Sequence, residues 1–153
     1  MLLAEALAER AQAQERLNSL HERLLTVARV QEGDTPDEDP QELLRELDGV
    51  AGRIDELVQA INATNIATAF DEKRNLMEAL ALRDGLLRKR RIYHDLAQRA
   101  GTRSDRYSRN EIKFVSTIPV AELRKRVDDL SKQYRELDTR IQQLNWNTEL
   151  KNG

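Results

Sequence analysis

The chain has 153 residues, and its 25 Lys and Arg residues against 27 Asp and Glu residues give a net charge of −2, without the basic surplus typical of nucleic-acid binding. Hydrophobic residues make up 39% of the chain and aromatic residues only 4%, which favours long helices over a thick globular core. The absence of cysteine excludes disulfides, thiolate metal sites and a cysteine nucleophile. No apolar stretch approaches the ~20 residues that span a bilayer, so we expect a cytoplasmic protein without membrane contact.

The first predicted helix covers residues 2–30. Its mostly apolar positions recur at alternating intervals of three and four, which aligns them as a seam along one side of the helix. The helix is expected to end at an acidic loop, residues 31–40, where Gly33 and two prolines interrupt the pattern. The seam consists of Leu3, Ala6, Arg10, Ala13, Leu17, Leu20, Leu24 and Val27.

The second predicted helix begins at Pro40, because proline suits a first helical position and Asp39 can cap it. The helix is expected to end within residues 62–68, where Asn and Thr side chains compete for the local backbone. Thr68 or Asp71 can then cap the next helix. The second seam consists of Leu43, Leu47, Val50, Ile54, Leu57 and Ile61.

The third predicted helix covers residues 71–100 and has too many apolar positions for one seam. This pattern predicts that it touches neighbours on two sides and is the most enclosed helix. Residues 105–118, within the connection 101–118, are rich in β-branched and aromatic residues and predict a small β-hairpin or flap. Pro119 then opens a fourth helix. The seam of this helix consists of Val120, Leu123, Val127, Leu130, Tyr134, Leu137, Ile141 and Leu144.

These elements predict an all-α fold in which about four helices form long antiparallel coiled-coil-like hairpins within a single domain, residues 1–153. The hairpins would close into a bundle or be completed by another subunit. Charge is divided unevenly, since residues 31–60 contain ten acids and two bases, net −8, and residues 83–113 contain ten bases and four acids, net +6. Complementary charge of this kind can pair helices or subunits, so we expect a homo-oligomer.

Three segments of the chain, Asn62–Asn65, Arg106–Thr117 and Leu137–Trp146, resemble the septicolysin-like family of small bacterial proteins. The similarity extends over nearly the whole chain in the same order. The resemblance implies a mostly helical, coiled-coil-like protein of undetermined biochemical role. Because the chain lacks cysteine, an export signal and an apolar hairpin, we do not expect a thiol-activated, secreted lysin.

Polar residues near the predicted ends of the second and fourth helices form the candidate site together with residues of the flap. The flap starts at the opposite end, so it would reach the others only by folding back or from another subunit. We expect them to be a network that fixes the packing register, or a site for a small anion bound by two arginines. Trp146 is expected to pack on the 62–70 turn or on another subunit. The candidate residues are Asn62, Asn65, Arg106, Tyr107, Arg109, Asn145 and Trp146.

No catalytic, cofactor or metal constellation emerges, so we do not expect an enzyme. A metal-dependent nucleotide hydrolase would need carboxylate pairs on facing helices, and Glu42 and Glu46 with Asp71 or Glu72 supply only part of one. The basic run Arg88–Arg91 leaves nucleic-acid or small-anion binding as the alternative. We expect a self-assembling structural or binding protein that does not bind nucleic acid, with the hydrolase in third place.

Overall fold

The computed structural model describes residues 1–102 and 112–152, and these form four α-helices. They are α1 (Leu3–Val27), α2 (Pro40–Ala67), α3 (Leu76–Ala100) and α4 (Val120–Asn147). The expectation of an all-α protein is therefore confirmed. The chain divides into two compact units, the first formed by residues 1–76 and 142–153 and the second by residues 77–141. The single domain predicted from the sequence stays a prediction.

In the first unit, α1 and α2 pack side by side as an antiparallel hairpin. Three ion pairs between the helices show the direction: Arg23 with Glu38, Arg16 with Glu46, and Glu9 with Arg53. Residue numbers in these pairs decrease along α1 while they increase towards and along α2, in steps of about two helical turns. This order is that of antiparallel helices. The connection, residues 28–39, contains Gly33, whose φ of 92° suits glycine in a tight turn.

The predicted seams form the interior of the hairpin. Leu20, Val27 and Leu43 make a buried cluster, and Leu47 and Val50 pack against it. The seam residues of α1, α2 and α4 are all buried or half-buried, as the alternating intervals predicted. The hydrophobic pattern was therefore sufficient to identify the buried side of these three helices.

Both the start and the end of α2 are as predicted, since the helix ends within residues 62–68. The Asp39 side chain accepts a hydrogen bond from the Gln41 N–H, and Pro40 occupies the first helical turn. The helix continues to Ala67, because the hydroxyls of Thr64 and Thr68 donate to the carbonyls of residues four positions earlier and thereby fit the helical geometry. The turn to α3 therefore begins at residue 68.

The turn between α2 and α3 is organised by Asp71. Its carboxylate accepts hydrogen bonds from the backbone N–H groups of Lys73 and Arg74, both at 2.8 Å. The Leu76 N–H donates to the Thr68 carbonyl at 2.8 Å, where α3 begins. Asp71 therefore stabilises the turn five residues before the helix, whereas the sequence had suggested it as a helix cap.

In the second unit, α3 and α4 also run antiparallel. Arg83 donates to Asp138 at 2.9 Å, and Arg126 donates to the Tyr93 hydroxyl at 2.7 Å. The Arg126 guanidinium also lies 5.3 Å from the centre of the Tyr93 ring, a cation–π distance. Leu86, Ala97 and Leu123 are buried in this unit.

Two expectations about this half of the chain are corrected. Residues 112–118, the part of the predicted flap that the structure describes, form no strand, so the β-hairpin is not supported; residues 103–111 lie outside the described residues. The helix expected to be the most enclosed, α3, instead exposes large apolar side chains along one side. Among the described residues, no helix is both long and apolar enough to cross a membrane.

Candidate functional site

Thr64 of α2 forms hydrogen bonds that join two parts of the first unit. Its side chain is fully buried, and its hydroxyl donates to the Ala60 carbonyl at 2.7 Å. The same oxygen accepts the backbone N–H of Lys151 at 2.9 Å. A single hydroxyl therefore connects α2 to the segment that follows α4, with both its donor and one acceptor site used.

The segment after α4 also pairs with the beginning of the chain. The Leu3 N–H donates to the Thr148 carbonyl, and the Leu150 N–H donates to the Met1 carbonyl, each at 2.8 Å. The amino group of Met1 lies 3.3 Å from the Glu149 carboxylate. Residues 148–151 are thus held between α1 and α2 by backbone hydrogen bonds.

The predicted polar cluster is only partly brought together. The end of α4 does reach α2, but through Lys151 and Thr64, which was absent from the predicted site. Asn145 is buried, with 6% of its surface exposed, whereas Asn62 is exposed and Asn65 half-buried. A buried threonine in a helix is a weak sequence signal because its hydroxyl can satisfy itself on its own backbone.

The other predicted site residues fall into two groups. Arg106, Tyr107 and Arg109 lie outside the described residues. Trp146 is 60% exposed, so the 62–70 turn does not bury it as one of the two expectations required. The remaining expectation, that another subunit covers Trp146, stays a prediction.

Two of the four carboxylates considered for metal binding have other roles. Glu46 pairs with Arg16 across the hairpin, and Asp71 accepts backbone hydrogen bonds in its turn. Across residues 1–102 and 112–152, no three histidine or carboxylate side chains lie where they would hold a metal ion together. The hydrolase interpretation therefore gains no support from the geometry of these residues.

The ion pairs of the α1–α2 hairpin change the acidity of their carboxyl groups. A hydrogen bond from Arg53, 2.7 Å between Nε and Oε1, lowers the pKa of Glu9. A hydrogen bond from Arg23 likewise lowers the pKa of Glu38. These carboxylates are solvent-exposed, so their charge–charge energies are screened and small.

The basic run Arg88–Arg91 differs from these arginines. All four side chains are exposed, and within the part of the chain that the structure describes none forms an ion pair. Their charge is therefore not neutralised by a carboxylate of the described residues.

A second line of residues on α3 runs beside this basic charge. Leu82, Ile92 and Leu96 expose 40%, 55% and 41% of their surface, and a methyl group added at Gly85 would meet nothing within 4 Å. The intervals between successive members alternate between three and four, as in a coiled-coil seam. We call this line the α3 open face: Leu82, Gly85, Lys89, Ile92, Leu96 and Arg99.

The sequence contained the signal for the α3 open face. Crowding of apolar residues on α3 predicted contacts on two sides, and one side is now accounted for by buried Leu86 and Ala97. Gly85 and Lys89 obscured the second seam because neither counts as apolar in a periodicity search. Only the exposure of its apolar members shows that the described residues leave this side uncovered.

A shallow groove of about 270 Å³ lies between the last turns of α3 and the first turns of α4. Its lining combines His94, Gln98 and Arg124 with the carboxylate of Asp128. Charges of both signs on exposed side chains give the groove no clear preference for a ligand class. It adds no catalytic arrangement to those already considered.

The fold and these surfaces define an all-α protein built from antiparallel helix pairs, with exposed apolar residues along α3 and no group of metal-holding side chains among the described residues. The chain belongs to DUF6847, a family of unknown function, whose model matches residues 10–150.

The chain is also similar to a solved structure, the crystal structure of a functionally unknown conserved protein from Corynebacterium diphtheriae. The two sequences are 53% identical, the match covers 99% of each chain, and the TM-score is 0.93. A comparison with curated proteins finds no match. Fold and family are thereby shown, and the biochemical role follows from neither.

Proposed function

We propose that this protein is a self-assembling structural or binding protein whose helices are completed by other copies of the chain. The observation that carries the proposal is the α3 open face, where Leu82, Ile92 and Leu96 are exposed at seam intervals. Scattered exposed apolar residues are common in monomers, but a continuous line at coiled-coil spacing is typical of a helix that has a partner.

A continuous apolar face favours association more than isolated apolar residues do. Covering apolar surface contributes about 25 cal/mol for each Å² removed from water. An apolar line several turns long can offset the loss of freedom on association only when its members are buried together. The regular spacing on α3 allows one partner helix to cover all three side chains at once.

The test is the mass of the protein in solution. Light scattering at micromolar concentration should give a multiple of 17.6 kDa. Ile92→Glu should lower that mass by placing a carboxylate in the apolar line, whereas Leu25→Glu, at an α1 residue that is 62% exposed and outside the line, should not. A monomeric mass for the unmodified protein at this concentration would refute the proposal.

Binding of a polyanion is the second candidate, because Arg88–Arg91 lack ion pairs within the described part of the chain. Four consecutive helical residues point around more than one side, so they do not form a single stripe along a phosphate backbone. We expect no sub-micromolar binding to a random single-stranded or duplex DNA at 150 mM salt. Tight binding with a steep salt dependence would favour this second candidate.

A further inference from the structure

The α2 helix carries a second line of residues beside its buried seam. Its members again alternate at intervals of three and four, about a quarter-turn around the helix from the seam. Leu44 exposes 42% of its surface, Asp48 and Asp55 are exposed, and Ala51 and Val58 are half-buried. We call this line the α2 outer face: Leu44, Asp48, Ala51, Asp55, Val58, Asn62 and Asn65.

The charged members of this face have no partners in the part of the chain that the structure describes. Glu46 and Glu38 pair with α1 arginines, but Asp48 and Asp55 form no ion pair there. These two aspartates lie seven residues apart, so they recur on the same side after two turns. The α2 outer face therefore combines Leu44, Ala51 and Val58 with polar residues and with two negative charges that have no ion pair among the described residues.

The α3 open face has the opposite character. It combines exposed Leu82, Ile92 and Leu96 with Lys89 and Arg99, and neither of these bases forms an ion pair within residues 1–102 and 112–152. The two faces share the same spacing and carry two charges each, of opposite sign. This is the pattern by which paired helices select a partner.

We infer that the α3 open face of one chain docks on the α2 outer face of a second copy of the same chain. The inference rests on the proposed self-assembly and specifies the two surfaces that meet. Burying Leu82, Ile92 and Leu96 would also bring Lys89 out of water, and a charge that loses water needs an opposite charge beside it. Asp48 and Asp55 provide that charge.

Pairing of identical faces is disfavoured by the same charges. Two α3 open faces would bring Lys89 and Arg99 against their own copies, and two α2 outer faces would bring Asp48 against Asp55 or its copy. Like charges placed across an interface cost free energy, which excludes such contacts more effectively than apolar shape can. The charge pattern therefore selects the mixed pairing of α2 with α3 between chains.

The experiment reverses the charge of each face separately and then of both. The acid-reversed variant carries Asp48→Lys and Asp55→Lys, and the base-reversed variant carries Lys89→Glu and Arg99→Glu. Sedimentation velocity should show that each alone weakens association by ~10-fold or more. A mixture of the two should associate again, as should a chain carrying all four substitutions, because opposite charges then face each other in every contact.

A matched control separates this effect from a change in net charge. Asp34→Lys with Asp37→Lys alters total charge as much as the acid-reversed variant does, but in the exposed acidic loop. This control should associate like the unmodified protein. Circular dichroism and thermal unfolding of each variant show whether the chain still folds, which is expected because all substituted side chains are exposed.

The possible results are distinguishable. If the unmodified protein is monomeric, the proposed self-assembly itself is refuted. If it is oligomeric and the reversed variants associate equally well, assembly uses other surfaces, and only the pairing of these two faces is refuted. Dissociation of both reversed variants without recovery in the mixture or in the fourfold variant would also refute the pairing.

Discussion

The α1–α2 hairpin and α3 use the same kinds of residue in opposite ways. In the hairpin, Arg16, Arg23 and Arg53 pair with carboxylates across the two helices, and the seam between them is buried. On α3, Lys89 and its basic neighbours have no ion pair among the described residues, and Ile92 beside them is exposed. The seam between α1 and α2 is covered within the hairpin, whereas the α3 open face has no cover among the described residues.

A heptad seam alone does not show which helix covers it. The seams of α1 and α2 cover each other because a short connection holds the helices antiparallel. The α3 open face has equally regular spacing, but its exposed leucine and isoleucine side chains show that no other described part of the chain covers it.

The sharpest test compares the same substitution in the two regions. Ile61 is 1% exposed in the hairpin, and Ile92 is 55% exposed on α3. Ile61→Ala should lower the free energy of unfolding by about 2–5 kcal/mol, because it removes buried apolar surface and leaves a cavity. Ile92→Ala should change it by less than ~1 kcal/mol in dilute protein, since little buried surface is lost.

Urea unfolding followed by circular dichroism measures both values at low protein concentration. Repeating the measurement at high concentration adds a control, because loss of a subunit contact makes the effect of Ile92→Ala grow with concentration. Equal destabilisation by the two substitutions in the dilute protein would show that α3 is as enclosed as the hairpin.

Substitution of Thr64 should have the next largest effect on the free energy of unfolding. Thr64→Val keeps the shape of the buried side chain but removes the oxygen that accepts the Lys151 N–H. The expected loss is about 1–2 kcal/mol, because the backbone group loses its partner. Thr64→Ser keeps the hydroxyl and should retain the hydrogen bond.

Amide hydrogen exchange separates the two Thr64 variants. Exchange of the Lys151 amide should accelerate in Thr64→Val and remain slow in Thr64→Ser. If Lys151 exchanges equally fast in both variants and in the unmodified protein, Thr64 does not hold the segment after α4.

Substitution of Gly49 should stabilise the folded chain instead of destabilising it. Gly49→Ala is expected to raise the free energy of unfolding by about 0.5–1 kcal/mol, because alanine favours a helix interior and nothing lies within 4 Å of the added methyl group. Gly33→Ala is the contrasting control, since the φ of 92° at Gly33 strains any other residue. Thermal unfolding measures both; destabilisation by Gly49→Ala would indicate that another chain approaches closely there.

The smallest expected effect is the pH dependence of the hairpin ion pairs. The pKa values of Glu9 and Glu38 are lower in the folded chain than in the unfolded chain. Their stabilisation is therefore fully present above the unfolded value of about 4.3 and is lost as the pH falls through the folded values. Thermal unfolding from pH 6 down to pH 3 should show this loss, and added salt should reduce it.

Two arginine variants sharpen the pH measurement. Arg53→Gln removes the hydrogen bond to Glu9 and should flatten part of the acidic decline in stability. Arg45→Gln, on the exposed surface of the same helix and without an ion pair in residues 1–102 and 112–152, should leave the decline unchanged. Identical pH profiles for both variants would mean that the Arg53–Glu9 pair contributes nothing measurable.

The candidate site was predictable only in part. Asn145 was expected near the end of α2, and the segment after α4 does reach α2, although through Thr64 and Lys151. Periodicity identifies which side of a helix is buried, but it carries no information on which single hydroxyl will accept a backbone N–H from residues 87 positions away. Long-range hydrogen bonds depend on how several elements pack, and the local sequence does not encode that.

By itself the sequence determined the four helices, the buried sides of α1, α2 and α4, and the start of α2 at Pro40 after its Asp39 cap. These features depend on interactions within a few turns of one helix or on burial of its apolar side, and both are visible in residue spacing. Tertiary structure alone decided that the Thr64 hydroxyl binds the segment after α4 and that no described part of the chain covers the α3 open face. The reason is physical: a seam records the need for apolar burial, whereas the partner that meets this need depends on the placement of every other helix.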